Sequence, residues 1–242
     1  MFILSAGMAK SGSTLFSFYQ KEIIEHGFPE NGQARFEQAV EDGQLNGVGH
    51  FVHDIDSADT LQTLYSLGTE FGPFVVKTHA PLTSDIKKFL KEHQVPVTFI
   101  HRDPRDVIIS AIDHGKRIKK ENVSNVYFTQ FQTVENSIPL VRDFCRAGID
   151  WISSGLCEVF TYHNLVSNPE EEIERFCHMI SGTADNQFIR GLIEKYTVSQ
   201  VPGVRQFNRG KTTRFREEMT VEEMEACNTG LSEEIVKLGY TI

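Results

Sequence analysis

The stretch from Phe2 to Phe16, "FILSAGMAKSGSTLF", constrains the fold more than any other part of the chain. Residues 2 to 6 read as a short buried strand. Residues from about Ser13 to His26 carry Leu15, Phe18, Tyr19, Ile23 and Ile24 on one apolar stripe and read as a helix. A strand that feeds a helix through a Gly/Ser loop gathers backbone N–H groups at the helix N-terminus, where they form a nest for an anion. Gly7 and Gly12 have the spacing of a nucleotide-binding loop, but the lysine that reaches a terminal phosphate should follow the second glycine. Serine stands there, and the loop's only lysine is Lys10. The loop offers the amides of Ser11 to Thr14, the hydroxyls of Ser11, Ser13 and Thr14, and a point charge at its tip.

The rest of the chain repeats the alternation of strand and helix. A helix is expected over roughly Ala58 to Glu70, then a strand in "PFVVKTH", a helix in "SDIKKFLKEH" and a strand in "VPVTFI". Asp103 as N-cap, Pro104 at the first helical position and Asp106 at the third open a further helix. A long helical region around Phe131 to Ser153, the strand "CEVFTY" and a capped helix in "SNPEEEIERFCHMI" follow. Strands separated by helices imply parallel βαβ units, so the expected fold class is a three-layer α/β/α arrangement with a central parallel sheet. With 242 residues, no repeat and no linker, residues 1–242 are expected to form a single domain. Ligands in such sheets lie beyond the carboxyl ends of the strands, which places the glycine loop, "KTHAP" and "HRDPRD" at one edge.

A net charge of −9 argues against nucleic acid and anionic membrane as partners. The cations are nevertheless clustered: Arg205, Arg209, Lys211, Arg214 and Arg216 form one group, and Arg102, Arg105, Lys116, Arg117, Lys119 and Lys120 another. Such clusters suit a compact anion or simply a solvated surface. Cys145, Cys157, Cys177 and Cys227 lack metal or redox spacing and are expected to be reduced. The N-terminal apolar run is too short for a signal peptide or a membrane span, so a cytoplasmic protein is expected.

If residues 74 to 79 are extended, Lys77 and His79 project to one face, where a neutral imidazole suits a general base. Arg102 closes a strand, and Ser110 lies two turns into the next helix, so both can face one anion; pairing of Arg102 with Asp103 or Asp106 is the alternative. Taken in order, "KSGST", "KTHAP", "HRDPRDVIIS" and "NRGK" resemble the signatures of PAPS-dependent sulfotransferases of the cytosolic type, over Met1 to about Glu225. The resemblance implies the P-loop-NTPase-like sulfotransferase fold, PAPS (3′-phosphoadenosine 5′-phosphosulfate) as sulfuryl donor, no metal, and a small-molecule acceptor. It places Lys10 against the bridging oxygen of the phosphosulfate, with Ser11, Gly12, Ser13 and Thr14 around the 5′ end. It places Arg102, Ser110, Arg209 and Gly210 on the 3′-phosphate and Tyr162 near the adenine. His79 becomes the base and Lys77 its acceptor-side lysine.

The sequence departs from the family pattern at several points. Leu15 replaces an aromatic after the loop, Asn208-Arg209-Gly210 replaces Arg-Lys-Gly, and Thr213-Arg214-Phe215 replaces the Gly-Asp-Trp that tends to follow. The first strand starts at residue 2, as in a compact bacterial-style member. Arg216, Thr220, Val221 and Glu225 resemble a short dimer motif, although Thr220 and Glu223 equally make a capping box. The competing functions are a P-loop kinase or NTPase and a nucleotide-binding regulator without turnover. Phe51, Phe71, Tyr127, Phe128 and Phe131 are candidates for an acceptor pocket, roofed by residues 28 to 72 and 116 to 131. Asp54 and Asp56 would favour a cationic or polyhydroxylated acceptor.

Overall fold

The computed structural model describes residues 1–121, 127–182, 184–196 and 211–242. In chain order the elements are β1 (Phe2–Gly7), α1 (Ser13–Gly27), α2 (Gln33–Glu41), β2 (Gly47–Val48), β3 (Phe51–Val52), α3 (Ala58–Phe71), β4 (Phe74–Thr78), α4 (Ser84–Glu92) and β5 (Val97–His101). They continue with α5 (Pro104–Glu121), a 3-10 turn at Tyr127–Gln130, α6 (Val134–Ser153), β6 (Glu158–Thr161), α7 (Tyr162–Ser167), α8 (Pro169–Met179) and α9 (Asn186–Tyr196). The C-terminal part holds α10 (Phe215–Glu218), α11 (Val221–Gly230) and α12 (Ser232–Lys237).

The described residues form a six-stranded sheet in the order β2-β3-β4-β1-β5-β6. It is parallel except where the short β2 pairs antiparallel with β3. Both faces are covered, which explains why the strands read as continuous apolar runs. Alternation decides which side each residue serves. Phe2, Leu4, Phe74, Val76, Val97 and Phe99 enter one core, beneath α3 to α6 and the C-terminal helices. Ile3, Val75 and Ile100 enter the other, beneath α1, α8 and α9. The expected three-layer α/β class is therefore the observed one. The sheet also has β2 and β3, which are too short to leave a periodic signal.

Central β1 pairs with β4 on one side and β5 on the other, with Ser5 opposite Lys77 and Gly7 opposite Ile100. The chain therefore reverses its direction of travel across the sheet at β1. Loops leaving β1 and its neighbours splay apart there and leave a crevice. Asp103 starts α5 as expected: its Oδ1 accepts from the Arg105 amide at 3.0 Å. Two expected strands end early, β4 at Thr78 and β6 at Thr161, so that His79 lies just past its strand and Tyr162 opens α7.

Candidate active site

Gly12 stands at the N-cap of α1 with φ +82° and no side chain to cap the first turn. Only glycine adopts that backbone without penalty. A Cβ at this position would lie 2.3 Å from Tyr162 Cδ2. The first turn of α1 thus faces the crevice without a side-chain cap, and the Tyr162 ring lies directly on the loop. Lys10, one of the few non-glycine residues with positive φ (66°), forms the loop tip.

A cavity of about 450 Å³ opens over this loop. It gathers Lys10, Gly12, Ser13 and Thr14 from the loop, Lys77 and His79 from the end of β4, Arg102 after β5, Ser110 on α5, and Tyr162. Residues separated by more than 150 positions in the chain thus converge because four parallel strands, β1, β4, β5 and β6, end at the same edge. Ser11 is the exception. Its hydroxyl donates inward to the Met8 and Ile100 carbonyls at 2.6 and 3.1 Å, and its amide to Met8. The expectation that Ser11 supplies a hydroxyl to a ligand is corrected: completely buried, it holds the loop in shape. Arg209 and Gly210 lie outside the described residues.

Each cation of the cavity is held in place. Lys77 Nζ donates to Thr14 Oγ1 at 2.9 Å and lies 4.9 Å from the Phe51 ring centroid. Burial lowers its pKa to about 8. Lys10 Nζ lies 5.5 Å from the Phe128 ring, and its pKa is lowered to about 7, chiefly by burial and then by Arg117, Lys77 and Arg102. Arg102 donates through Nε and Nη2 to Asp106 Oδ2 and through Nη2 to the Lys211 carbonyl, while stacking 4.2 Å from Tyr162. The pairing with Asp106 therefore occurs and fixes the guanidinium at the cavity wall. Positive charge in excess of negative charge, gathered at a glycine nest, suits a multiply charged anion.

His79 is fixed by chemistry as well as by packing. Its Nδ1 lies 2.7 Å from the Gly7 carbonyl. A carbonyl only accepts, so Nδ1 carries the proton and Nε2 presents a lone pair. Burial, with Lys77 and Lys10 nearby, lowers its pKa to about 3 and keeps the ring neutral. His79 also forms the wall of a second, largely apolar cavity of about 340 Å³ that includes Pro81, Phe144 and Trp151.

Several side chains have roles the sequence did not reveal. His53 and His114 line the main cavity, as does Val48. His114 follows Ser110 by four residues, so helical spacing was the available signal. Of the proposed aromatics, Phe51 and Phe128 line the cavity, whereas Phe131 is buried in the core and Phe71 lies under Arg35. Tyr127 packs on Phe128, Phe131 and Phe144 and is not part of the wall, and neither are Asp54 and Asp56. The basic clusters also divide. Arg105 pairs with Asp103, and Arg214, 2% exposed, with Asp113 and Glu218, while Lys116, Lys119 and Lys120 are exposed to solvent. Both are structural ion pairs. Among the described residues no group of three or more His, Cys, Asp or Glu is placed to hold a metal ion, and no helix is long and apolar enough to cross a membrane.

Comparison with known proteins identifies the fold and the family. No curated protein matches the chain by sequence. Among solved structures, a retinol dehydratase crystallised with androsterone and the inactive cofactor PAP is similar, with a TM-score of 0.60 at 14% identity, covering 97% of this chain and 80% of that one. The mouse sulfotransferase SULT7A1 complexed with PAP gives 0.65 at 10% identity, covering 97% and 84%. The sulfotransferase domain from the curacin biosynthetic pathway gives 0.50 at 14% identity, covering 100% and 97%. At such identities these likenesses establish the fold. The family is established separately: the profile described as "Sulfotransferase domain" matches residues 2–235, and the chain belongs to the sulfotransferase family.

Proposed function

We propose that the chain transfers a sulfuryl group from PAPS to a hydroxyl, or an amine, of a small-molecule acceptor by in-line displacement. The observation that carries this reading is the placement of Lys10, Lys77 and a base-competent His79 around one cavity with Arg102 and Ser110. The donor set fits a ligand with two anionic ends: the loop and its lysines for one, Arg102 and Ser110 for the other. PAPS supplies the sulfuryl group and a leaving oxygen on which negative charge grows.

His79 Nε2 takes the acceptor's proton as the acceptor oxygen bonds to sulfur. Lys10 and the amides at the start of α1 stabilise the electron pair left on the departing oxygen, and that interaction strengthens only as the bond breaks. Lys77, tied to Thr14, holds positive charge beside the base and keeps it neutral until the proton moves. Arg102 and Ser110 align the donor through its remote phosphate, with Arg209 and Gly210 assigned to the same phosphate and Tyr162 to the adenine side. Dimerisation through Arg216 to Glu225 belongs to the same reading, to be checked by light scattering. Thr220 and Glu223 form the capping box of α11, and Val221 is exposed.

Titration calorimetry and transfer assays test the proposal. Adenosine 3′,5′-bisphosphate should bind at least about tenfold more tightly than ATP, because ATP leaves the Arg102 and Ser110 end unfilled. Tighter binding of ATP would instead indicate a kinase or NTPase. His79→Ala should lose roughly 10²- to 10⁴-fold in turnover and keep its affinity for the bisphosphate. Undiminished turnover would remove His79 from the base role.

A further inference from the structure

His114 stands opposite in hydrogen-bonding sense to His79 in the same cavity. Arg117, three residues later on α5, donates from Nη2 to His114 Nδ1 at 2.7 Å. A guanidinium has no acceptor, so Nδ1 must be the lone-pair nitrogen, and the neutral ring carries its proton on Nε2. His79 is locked the other way by the Gly7 carbonyl. One imidazole can therefore only accept from a bound molecule, and the other can only donate to it.

The position of His114 says what it would donate to. It lies one helical turn beyond Ser110, further from the N-terminus of α5. Its ring meets Phe128 edge-on at 4.8 Å and 82°, so an apolar wall stands beside the donor. Lys10 lies over that same Phe128 ring, while Phe51 and Val48 add to the apolar lining. With Nδ1 taken and Nε2 without a partner among the described residues, the ring has one donor to offer. A polar group of this kind distinguishes ligands that can pair with it from those that cannot.

We propose that His114 is a specificity-determining residue, reading the acceptor through Nε2–H. The substrate class is then an apolar hydroxyl compound with a second oxygen, an ether or carbonyl, that accepts a hydrogen bond. Arg117 is the positioning residue that fixes the tautomer. The inference rests on the sulfuryl-transfer reading above and names its substrate class.

The test compares matched acceptors that differ only by an ether oxygen in place of a methylene, with the oxygen moved along a small panel. For at least one pair the wild type should favour the ether by roughly tenfold in kcat/KM, the value of about one net hydrogen bond, with the difference residing in KM. His114→Phe should bring that ratio close to one, and His114→Gln, which keeps a donor near the Nε2 position, should retain most of it. Arg117→Leu should give an intermediate ratio, because both tautomers become available. An unchanged ratio in His114→Phe, no ether preference anywhere in the panel, or an equal loss of kcat for both members of a pair would each overturn the proposal. Calorimetry with adenosine 3′,5′-bisphosphate separates the two levels. Failure of the wild type to bind it overturns the sulfuryl-transfer reading and this proposal with it. Normal binding with an unaltered ether preference in His114→Phe overturns this proposal alone.

Discussion

Lys10 combines two costs in one residue: a left-handed backbone at φ 66° and an ammonium group packed among other cations. Its pKa, held near 7 rather than at the usual lysine value, means that it is only partly charged at neutral pH in the free protein. An anion binding beside it favours the charged form and raises that pKa. Binding of adenosine 3′,5′-bisphosphate should therefore take up protons above pH 7, and affinity should fall as pH rises from 7 to 9. The limit is about tenfold per pH unit for one proton taken up. Calorimetry in two buffers of different ionisation enthalpy measures that uptake, and Lys10→Met should remove the share centred near pH 7 while leaving that of Lys77, whose pKa lies near 8. Gly12 is constrained by its neighbours. Gly12→Ala places a methyl group into the Tyr162 ring on an unfavourable backbone. It should lower stability by about 2 kcal/mol in urea unfolding and weaken bisphosphate binding at least about tenfold.

The start of α5 shows how one element holds another. Asp106 is 1% exposed and accepts from Arg102, from the Thr213 amide at 2.9 Å and from the Phe215 amide at 3.1 Å. The sequence marked Asp106 as a helix-start residue, because its place in the first turn is a local pattern. Its second role was hidden, since Thr213 and Phe215 are more than 100 positions away. Asp106→Ala leaves the Arg102 guanidinium buried beside a missing carboxylate. It should cost about 3–5 kcal/mol by urea unfolding and expose the segment after Lys211 to limited proteolysis. Asp106→Asn, which keeps an acceptor, should cost less. The same logic applies to Arg214, which read as one cation of a basic cluster and serves as a buried clamp between Asp113 and Glu218.

For the molecule as a whole, the site sits where four parallel strands end, so a ligand held there ties distant parts of the chain together. Adenosine 3′,5′-bisphosphate at about a hundred times its Kd should stabilise the fold by about 2.7 kcal/mol. For a chain of this size that corresponds to a rise in Tm of roughly 5–10 °C, whereas ATP at the same concentration should give a smaller shift. Differential scanning fluorimetry measures both. What the sequence determined by itself was local: the strand, glycine loop and helix from Phe2 onward, the succession of βα units, the capped start of α5 and the order of the motifs. Each is carried by periodicity or by neighbours in the chain. What only the tertiary structure decided was the use of those residues. It turned the Ser11 hydroxyl inward, seated Phe51 and Phe128 at the cavity while burying Phe131, and fixed His79 and His114 in opposite tautomers. The Gly7 carbonyl that orients His79 lies 72 positions away in sequence, so the contact exists only once the sheet has brought β1 and β4 side by side. For His114 the partner was one helical turn away, yet its meaning still depended on the fold, which alone placed that turn of α5 at the cavity wall.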